Sequence, residues 1–290
     1  MKNFCTLADN NFYDRVAALN DSLCNFSKNY KLHLLCLDDE IYEKCKDKDN
    51  FICYKIKDLL ENDPSLRKSK ENEPSREAFI VSKGDLEGAR KNQFAWLLAP
   101  YFSWWCLENL EIDDILYIDA DIYFYSSYNE LYQHLDDCSI GIVEHRCPYN
   151  PDNGKYNVGI VYFKNDLDGY KCSSWWKNCL LFTDHQYYST HGKCGDQKYL
   201  ELFPQLFNNV KVLDEYIGHL ATWNFLQHEY KNDKIIWKGK EQKLLYCHFS
   251  NFKCNTDGYQ IAPRHGFQAP PNGFVKKIAD IYYNVLKEYS

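Results

Sequence analysis

The segment Ile115-Leu-Tyr-Ile-Asp-Ala-Asp-Ile-Tyr-Phe-Tyr125 constrains this chain more than any other. A largely apolar run enters Asp119-Ala120-Asp121 and an apolar-aromatic run leaves it. A buried strand gains nothing by ending in two carboxylates spaced i, i+2. In extended backbone that spacing directs both side chains to one side. Like charges held so close repel unless a cation or hydrogen-bond donors answer them. The simplest answer is a divalent metal, for which carboxylate oxygens are hard ligands. Carboxylates after a strand also cap helices and turns. The apolar approach and the aromatic exit favour the metal.

With 290 residues, 45% of them hydrophobic, the chain can bury a sizeable core. An aromatic fraction of 17% argues against disorder over most of its length. A net charge of −7 excludes a broad nucleic-acid-binding surface, so an anionic substrate needs a metal or local basic groups. The thirteen cysteines are odd in number and contain no CxxC pair, and several lie inside apolar runs. They read as buried thiols in a reducing, cytoplasmic compartment, without the spacing of a zinc site. No secretory signal is visible, since the first apolar residues give way to Asp9-Asn10-Asn11. The longest apolar stretch, 94–107, contains Pro100 and is shorter than the roughly 20 residues that span a bilayer. A core helix suits it better, with peripheral membrane contact as the alternative.

In chain order, a strand over 3–8 ends at Asp9-Asn10-Asn11, and a helix over 13–26 carries Val16, Leu19, Leu23 and Phe26 on one face. A strand over 31–37, a short helix over 41–45 and a strand over 51–54 complete the opening of a Rossmann-like α/β sheet. Ligands bind such sheets beyond the carboxyl ends of their strands, which makes 6–11 a candidate nucleotide site. The charged, breaker-rich stretch 58–90 reads as a surface excursion with some helix. A helix over 93–110 packs under the strand that carries Asp119. Then come a helix over 128–135, a strand over 139–143 and a loop with Arg146, Pro148 and Pro151. A strand over 155–164 starts with Asn157 and Gly159, where backbone can approach a ligand closely. A helix over 167–182, a helix opened by Gly195-Asp196-Gln197, a short strand over 211–213 and a strand over 244–249 delivering His248 follow. The chain ends in an amphipathic helix over 272–289. No repeat or linker divides it. The expectation is a single domain over 1–290, with a nucleotide-binding half about 1–125 and a sugar and acceptor half about 126–255.

Taken singly, the remaining polar residues have ordinary explanations. A histidine ending an apolar strand is normally satisfied within the core, and His248 becomes a ligand only if the fold brings it to Asp119 and Asp121. Asp196 and Gln197 suit a helix N-terminus. Asn157 suits a turn, and Lys253 suits a solvated surface.

Together these segments resemble the metal-dependent retaining glycosyltransferases of the GT-A fold, the glycogenin and bacterial galactosyltransferase type of family eight. Tyr117-Ile-Asp-Ala-Asp121 looks like the family's Asp-x-Asp motif, and Ala8-Asp-Asn-Asn-Phe12 like its first turn. Tyr156-Asn-Val-Gly159 looks like its Asn-x-Gly strand start, Gly195-Asp-Gln-Lys-Tyr-Leu200 like its Asp-Gln helix, and His248-Phe-Ser-Asn-Phe-Lys253 like its late His…Lys segment. The five matches stand in the family's order across nearly the whole chain.

The resemblance implies a nucleotide-sugar donor, UDP-linked, with Mn2+ (or Mg2+, less suited to nitrogen) between diphosphate and protein. It implies Asp119, Asp121 and His248 as metal ligands, and Thr6, Ala8, Asp9 and Asn11 as nucleoside contacts. Lys253 falls on a phosphate, Asn157, Asp196 and Gln197 on the transferred sugar, and Trp223 and Asn224 on the sugar or acceptor pocket. Asp196 and Gln197 are the candidate catalytic pair. The acceptor would be a glycan, glycolipid or protein hydroxyl, and the resemblance implies retention at C1, either by that hydroxyl attacking C1 from the departing phosphate's face, the favoured route, or through a covalent intermediate on Gln197 or Asp196. Two departures stand out. Asn251 replaces the family's glycine, with Lys253 one residue early, and the sugar-contacting arginine before Asp-x-Asp has no match nearer than Arg90 and Lys91. A sugar-nucleotide nucleotidyltransferase would need a Gly-rich Arg/Lys triphosphate signature that is missing. A nuclease conflicts with the negative charge. A non-catalytic sugar-binding module explains the aromatics but not Asp119, Asp121 and His248 together.

Overall fold

The computed structural model describes residues 1–71, 93–148, 154–181, 195–262 and 273–290. Arg90, Lys91, Pro151 and Phe182, together with most of the expected excursion, lie outside the described residues. The opening unit is β1 (Lys2–Ala8), α1 (Tyr13–Cys24), β2 (Tyr30–Cys36), α2 (Asp39–Cys45) and β3 (Phe51–Lys55), all three strands parallel. Val16, Leu19 and Leu23 of α1 are buried as expected. Phe26 is not: the amides of Phe26 and Ser27 both turn back to the Leu23 carbonyl, which ends the helix and leaves Phe26 39% exposed. Asp38 caps α2, its carboxylate accepting the Ile41 amide at 2.8 Å.

The charged stretch that follows forms α3 (Ile56–Asn62) and α4 (Pro64–Glu71) as far as it is described. Then come α5 (Gln93–Asn109), β4 (Asp114–Ile118), β5 (Ile122–Phe124), α6 (Asn129–Tyr132), β6 (Ile140–Glu144), β7 (Tyr156–Lys164) and α7 (Leu167–Leu181). After a 3-10 turn at Gln197–Leu202 and α8 (Phe203–Leu206), the strand β8 (Val210–Val212) completes a seven-stranded sheet of order β3-β2-β1-β4-β7-β6-β8. Its inner strands are apolar on both faces because helices cover both. Phe4, Leu32, Leu34, Leu116 and Ile118 pack toward α1, while Cys5, Leu35, Ile115 and Tyr117 pack toward α5.

A second sheet carries the chemistry. It comprises β9 (Gly218–Ala221), the hairpin β10 (Glu229–Lys231) and β11 (Lys234–Trp237), and β12 (Lys240–His248), joined by β5. The chain leaves the first sheet at Asp119 and enters the second at Ile122. β5 runs antiparallel to β12 with Ile122 opposite His248, so the strand register brings the late histidine beside the carboxylates. A small hairpin, β13 (Lys253–Asn255) and β14 (Gly258–Gln260), precedes the final helix α9 (Gly273–Tyr289). α9 buries Val275, Ile278, Ala279, Tyr282 and Leu286, with Tyr282 stacked on Phe249 at 4.1 Å between ring centroids. It thereby buttresses the segment immediately after His248.

Candidate active site and metal centre

Backbone hydrogen bonds lock the carboxylate turn between the two sheets. The Asp119 amide donates to the Gly159 carbonyl at 2.9 Å, and the Phe249 amide to the Asp121 carbonyl at 2.8 Å. His248 Nε2 then lies 2.9 Å from Asp121 Oδ1 and 3.6 Å from Asp119 Oδ2. One donor atom from each residue falls within 4.8 Å of the others. Two ligands about 2.1 Å from one ion and at right angles lie about 3 Å apart. Two carboxylates and an imidazole in this arrangement can hold a divalent ion.

Local packing explains why His248 reaches so far. A Cβ on Gly159 would sit 2.5 Å from His248 Nδ1 and 2.6 Å from Asn157 Oδ1, so the ring lies against a bare α-carbon. Trp223 meets the ring edge to face at 5.0 Å between centroids. Electrostatics follow from burial and mutual charge. Burial raises the Asp119 carboxyl above its ordinary range, with the Asp121 charge adding to it against the pull of His248. Burial also pushes Asp121 upward, but His248 and Arg15 outweigh it and hold that carboxyl low. Burial works against the His248 imidazolium, yet the two carboxylates prevail and raise it.

Asp196 faces the same space. Burial, then the charge of Asp119, pushes its carboxyl up to about 8. It stands at the head of the 3-10 turn without making a side-chain cap hydrogen bond, so the capping alternative is not realised. Its position is set by two indoles. Trp176 Nε1 donates to the Asp196 carbonyl at 3.0 Å, and Trp96 packs so closely on Gly195 (φ +41°) that a Cβ there would lie 2.5 Å from the ring.

These groups open on one cavity of about 990 Å³. Of the residues singled out in the sequence, Ala8, Asp9, Asp119, Asp121, Asn157, Asp196, Gln197, Trp223 and His248 line it. Four do not. Thr6 is fully buried in β1 and its hydroxyl has no partner among the described residues. Asn11 is exposed and donates to Asp9 Oδ2 at 3.2 Å. Asn224 is fully buried, its Oδ1 accepting the Ala221 amide and its Nδ2 donating to the His145 carbonyl, both at 2.9 Å, so it staples two loops behind Trp223. Lys253 is exposed on β13. Asn251 has φ +58°, the left-handed conformation that a glycine adopts freely and asparagine tolerates, which accounts for the exchange at that position.

Sequence alone assigns no site role to His145, Trp96, Tyr117 or Arg146. His145 lines the cavity, its Nδ1 3.1 Å from the Gly154 carbonyl and its Nε2 3.4 Å from Asn157 Nδ2. Arg146 anchors the same loop from behind. Its guanidinium is fully buried and donates to Asp214 Oδ1 at 2.8 Å, Gln242 Oε1 at 3.0 Å and the carbonyls of Asp214 and Ile217. Against the pull of burial, His219 and Arg146 hold the Asp214 carboxyl down, to about 2. No spacing signal announces either residue; a lone Arg in a loop reads as solvated.

No family model matches the chain. Two curated relatives from Bacillus subtilis (strain 168) are similar over 268 residues each. They are the uncharacterized protein YfnF, at 25% identity over 86% of this chain and 81% of the relative, and the uncharacterized protein YfnD, at 22% over 88% and 79%. Among solved structures, mouse xyloside xylosyltransferase 1 in its apo form aligns with TM-score 0.54 and 14% identity, over 86% of this chain and 98% of that one. The galactosyltransferase LgtC, in complex with donor and acceptor sugar analogs, aligns with TM-score 0.53 and 12% identity, over 99% and 95%. The chain has the GT-A fold, and its Asp119-Ala120-Asp121 turn lies beside His248.

Proposed function

We propose that this GT-A-fold chain is a metal-dependent glycosyltransferase. In this reading it moves a sugar from a nucleotide-sugar donor, UDP-linked, to a hydroxyl of a glycan, glycolipid or protein, with retention at C1. The observation that carries the proposal is the convergence of Asp119, Asp121 and His248, nearly 130 residues apart in sequence, on the cavity that Asp196 and the end of β1 also line. The donor set mixes hard oxygens with an imidazole nitrogen, which suits Mn2+ better than Mg2+. When bound, the ion supplies Lewis-acid stabilisation of the charge that builds on the leaving diphosphate.

The protein's own groups do the rest. Ala8 and Asp9, beyond the carboxyl end of β1, offer backbone and carboxylate to the nucleoside. Asp196 and Gln197 face the transferred sugar, where their oxygens stabilise an oxocarbenium-like C1. Asp196 is raised partly by the Asp119 charge, so neutralising Asp119 favours the ionised form that this task requires. The acceptor hydroxyl attacks from the face that the phosphate leaves, and a phosphate oxygen takes its proton. The twelve described cysteines are all free thiols, which supports a reducing, cytoplasmic location. Among the described residues no helix is long and apolar enough to cross a membrane.

The test is a panel of sugar nucleotides assayed for Mn2+-dependent hydrolysis without acceptor, in the wild type and in Asp121→Ala. Release of free sugar and nucleoside diphosphate from one donor, lost in the folded variant, is the expected result. Full activity in Asp121→Ala, or no hydrolysis of any donor, would overturn the proposal.

A further inference from the structure

On the reading just given, we propose that Tyr117 is a positioning residue for the metal centre: its phenol fixes Asp119 so that one carboxylate oxygen is reserved for the ion. Tyr117 stands two residues before Asp119, and its phenol donates to Asp119 Oδ1 at 2.8 Å. The other oxygen, Oδ2, is the one that faces His248 Nε2 at 3.6 Å. The two oxygens of this carboxylate are thus divided between a fixed donor and the ligand cluster.

Packing alone does not require this arrangement. Tyr117 is 3% exposed in the core between β4 and α5, where a phenylalanine ring would fill the same space. Tyr117 also lines the cavity, and its hydroxyl makes a charge-assisted hydrogen bond to Asp119 there. A carboxylate that accepts this bond on Oδ1 is biased toward the rotamer that turns Oδ2 to His248. Oδ2 is thereby oriented in advance toward the place where Asp121 and His248 would hold an ion.

Tyr117→Phe in the full chain tests the inference. Mn2+ affinity is read from the loss of the free-ion EPR signal, and folding from the thermal melt in EDTA. Removing an outer partner of a metal-binding carboxylate weakens affinity roughly 10–100-fold, and the expected loss here is about tenfold with a near-wild-type melt. In an Asp119→Asn background the same substitution should change Mn2+ affinity little, because Tyr117 acts through Asp119; a merely structural role would give additive losses. If Tyr117→Phe does not fold, 3,5-difluorotyrosine at position 117 changes the strength of the phenol's hydrogen bond to Asp119 while keeping its packing, and should shift Mn2+ affinity. Equal Mn2+ affinity in wild type and Tyr117→Phe, or no shift with the fluorinated residue, overturns the inference. Failure of the wild type itself to bind Mn2+ would instead overturn the functional reading on which it rests.

Discussion

Asp196→Asn isolates the electrostatic strain of the site. The Asp196 carboxyl is held at about 8 in the folded chain against an ordinary 3.8. The folded state therefore keeps a proton that the unfolded state releases near pH 4. Stability is fully present below that pH and declines as pH rises toward the folded value. At about 1.4 kcal/mol per unit, the wild type should lose about 3 kcal/mol between about pH 5 and about pH 7.5 through this group alone. Asparagine has nearly the same shape and no proton to lose. Urea denaturation of both proteins in EDTA at the two pH values measures the difference. The variant should gain about 3 kcal/mol relative to wild type on going to the higher pH. Adding Mn2+ should shrink that pH-dependent gap, because an ion on Asp119 removes one of the two causes. Parallel pH dependences in EDTA would refute the reasoning.

Gly159→Ala places a methyl 2.5 Å from His248 Nδ1. It should cost about 1–3 kcal/mol in chemical denaturation and weaken Mn2+ binding by isothermal titration, whereas the same change at Gly239, with open space around it but positive φ, should leave metal affinity unaltered. Arg146→Met leaves Asp214 buried without its guanidinium partner and should destabilise the fold by about 3–5 kcal/mol, read by the same denaturation. Asp214 is held at about 2, so its contribution is present above the ordinary carboxylate range and lost as pH falls through about 2. An acid titration of wild type against Asp214→Asn should show that loss.

The sequence made one half of the metal centre legible and left the other half to the fold. Asp119 and Asp121 announce themselves because an i, i+2 carboxylate pair ending an apolar strand has few structural uses. His248 has no such local signal. What joins it to them is the β5–β12 register, and β5 is a three-residue strand hidden in the aromatic run 122–124. The second sheet was hard to read for the same reason. β9 is four residues long, and the β10–β11 hairpin turns on Asn232-Asp233, residue types that tolerate the positive φ both adopt, the one clue the sequence offers. The opening strands and helices were clear because their apolar periodicity is strong, and Phe26 strayed only where a tight turn ended α1. Tyr117 was absorbed into an apolar strand because one hydroxyl does not alter a hydrophobic pattern.

The most direct measurement is the anomalous scattering of manganese from crystals of the protein soaked in Mn2+. One peak should lie within about 2.0–2.4 Å of a carboxylate oxygen of Asp119, one of Asp121 and Nε2 of His248. A fully occupied manganese peak elsewhere, or none beside these three residues in crystals whose solution counterpart binds the ion, would contradict the metal centre.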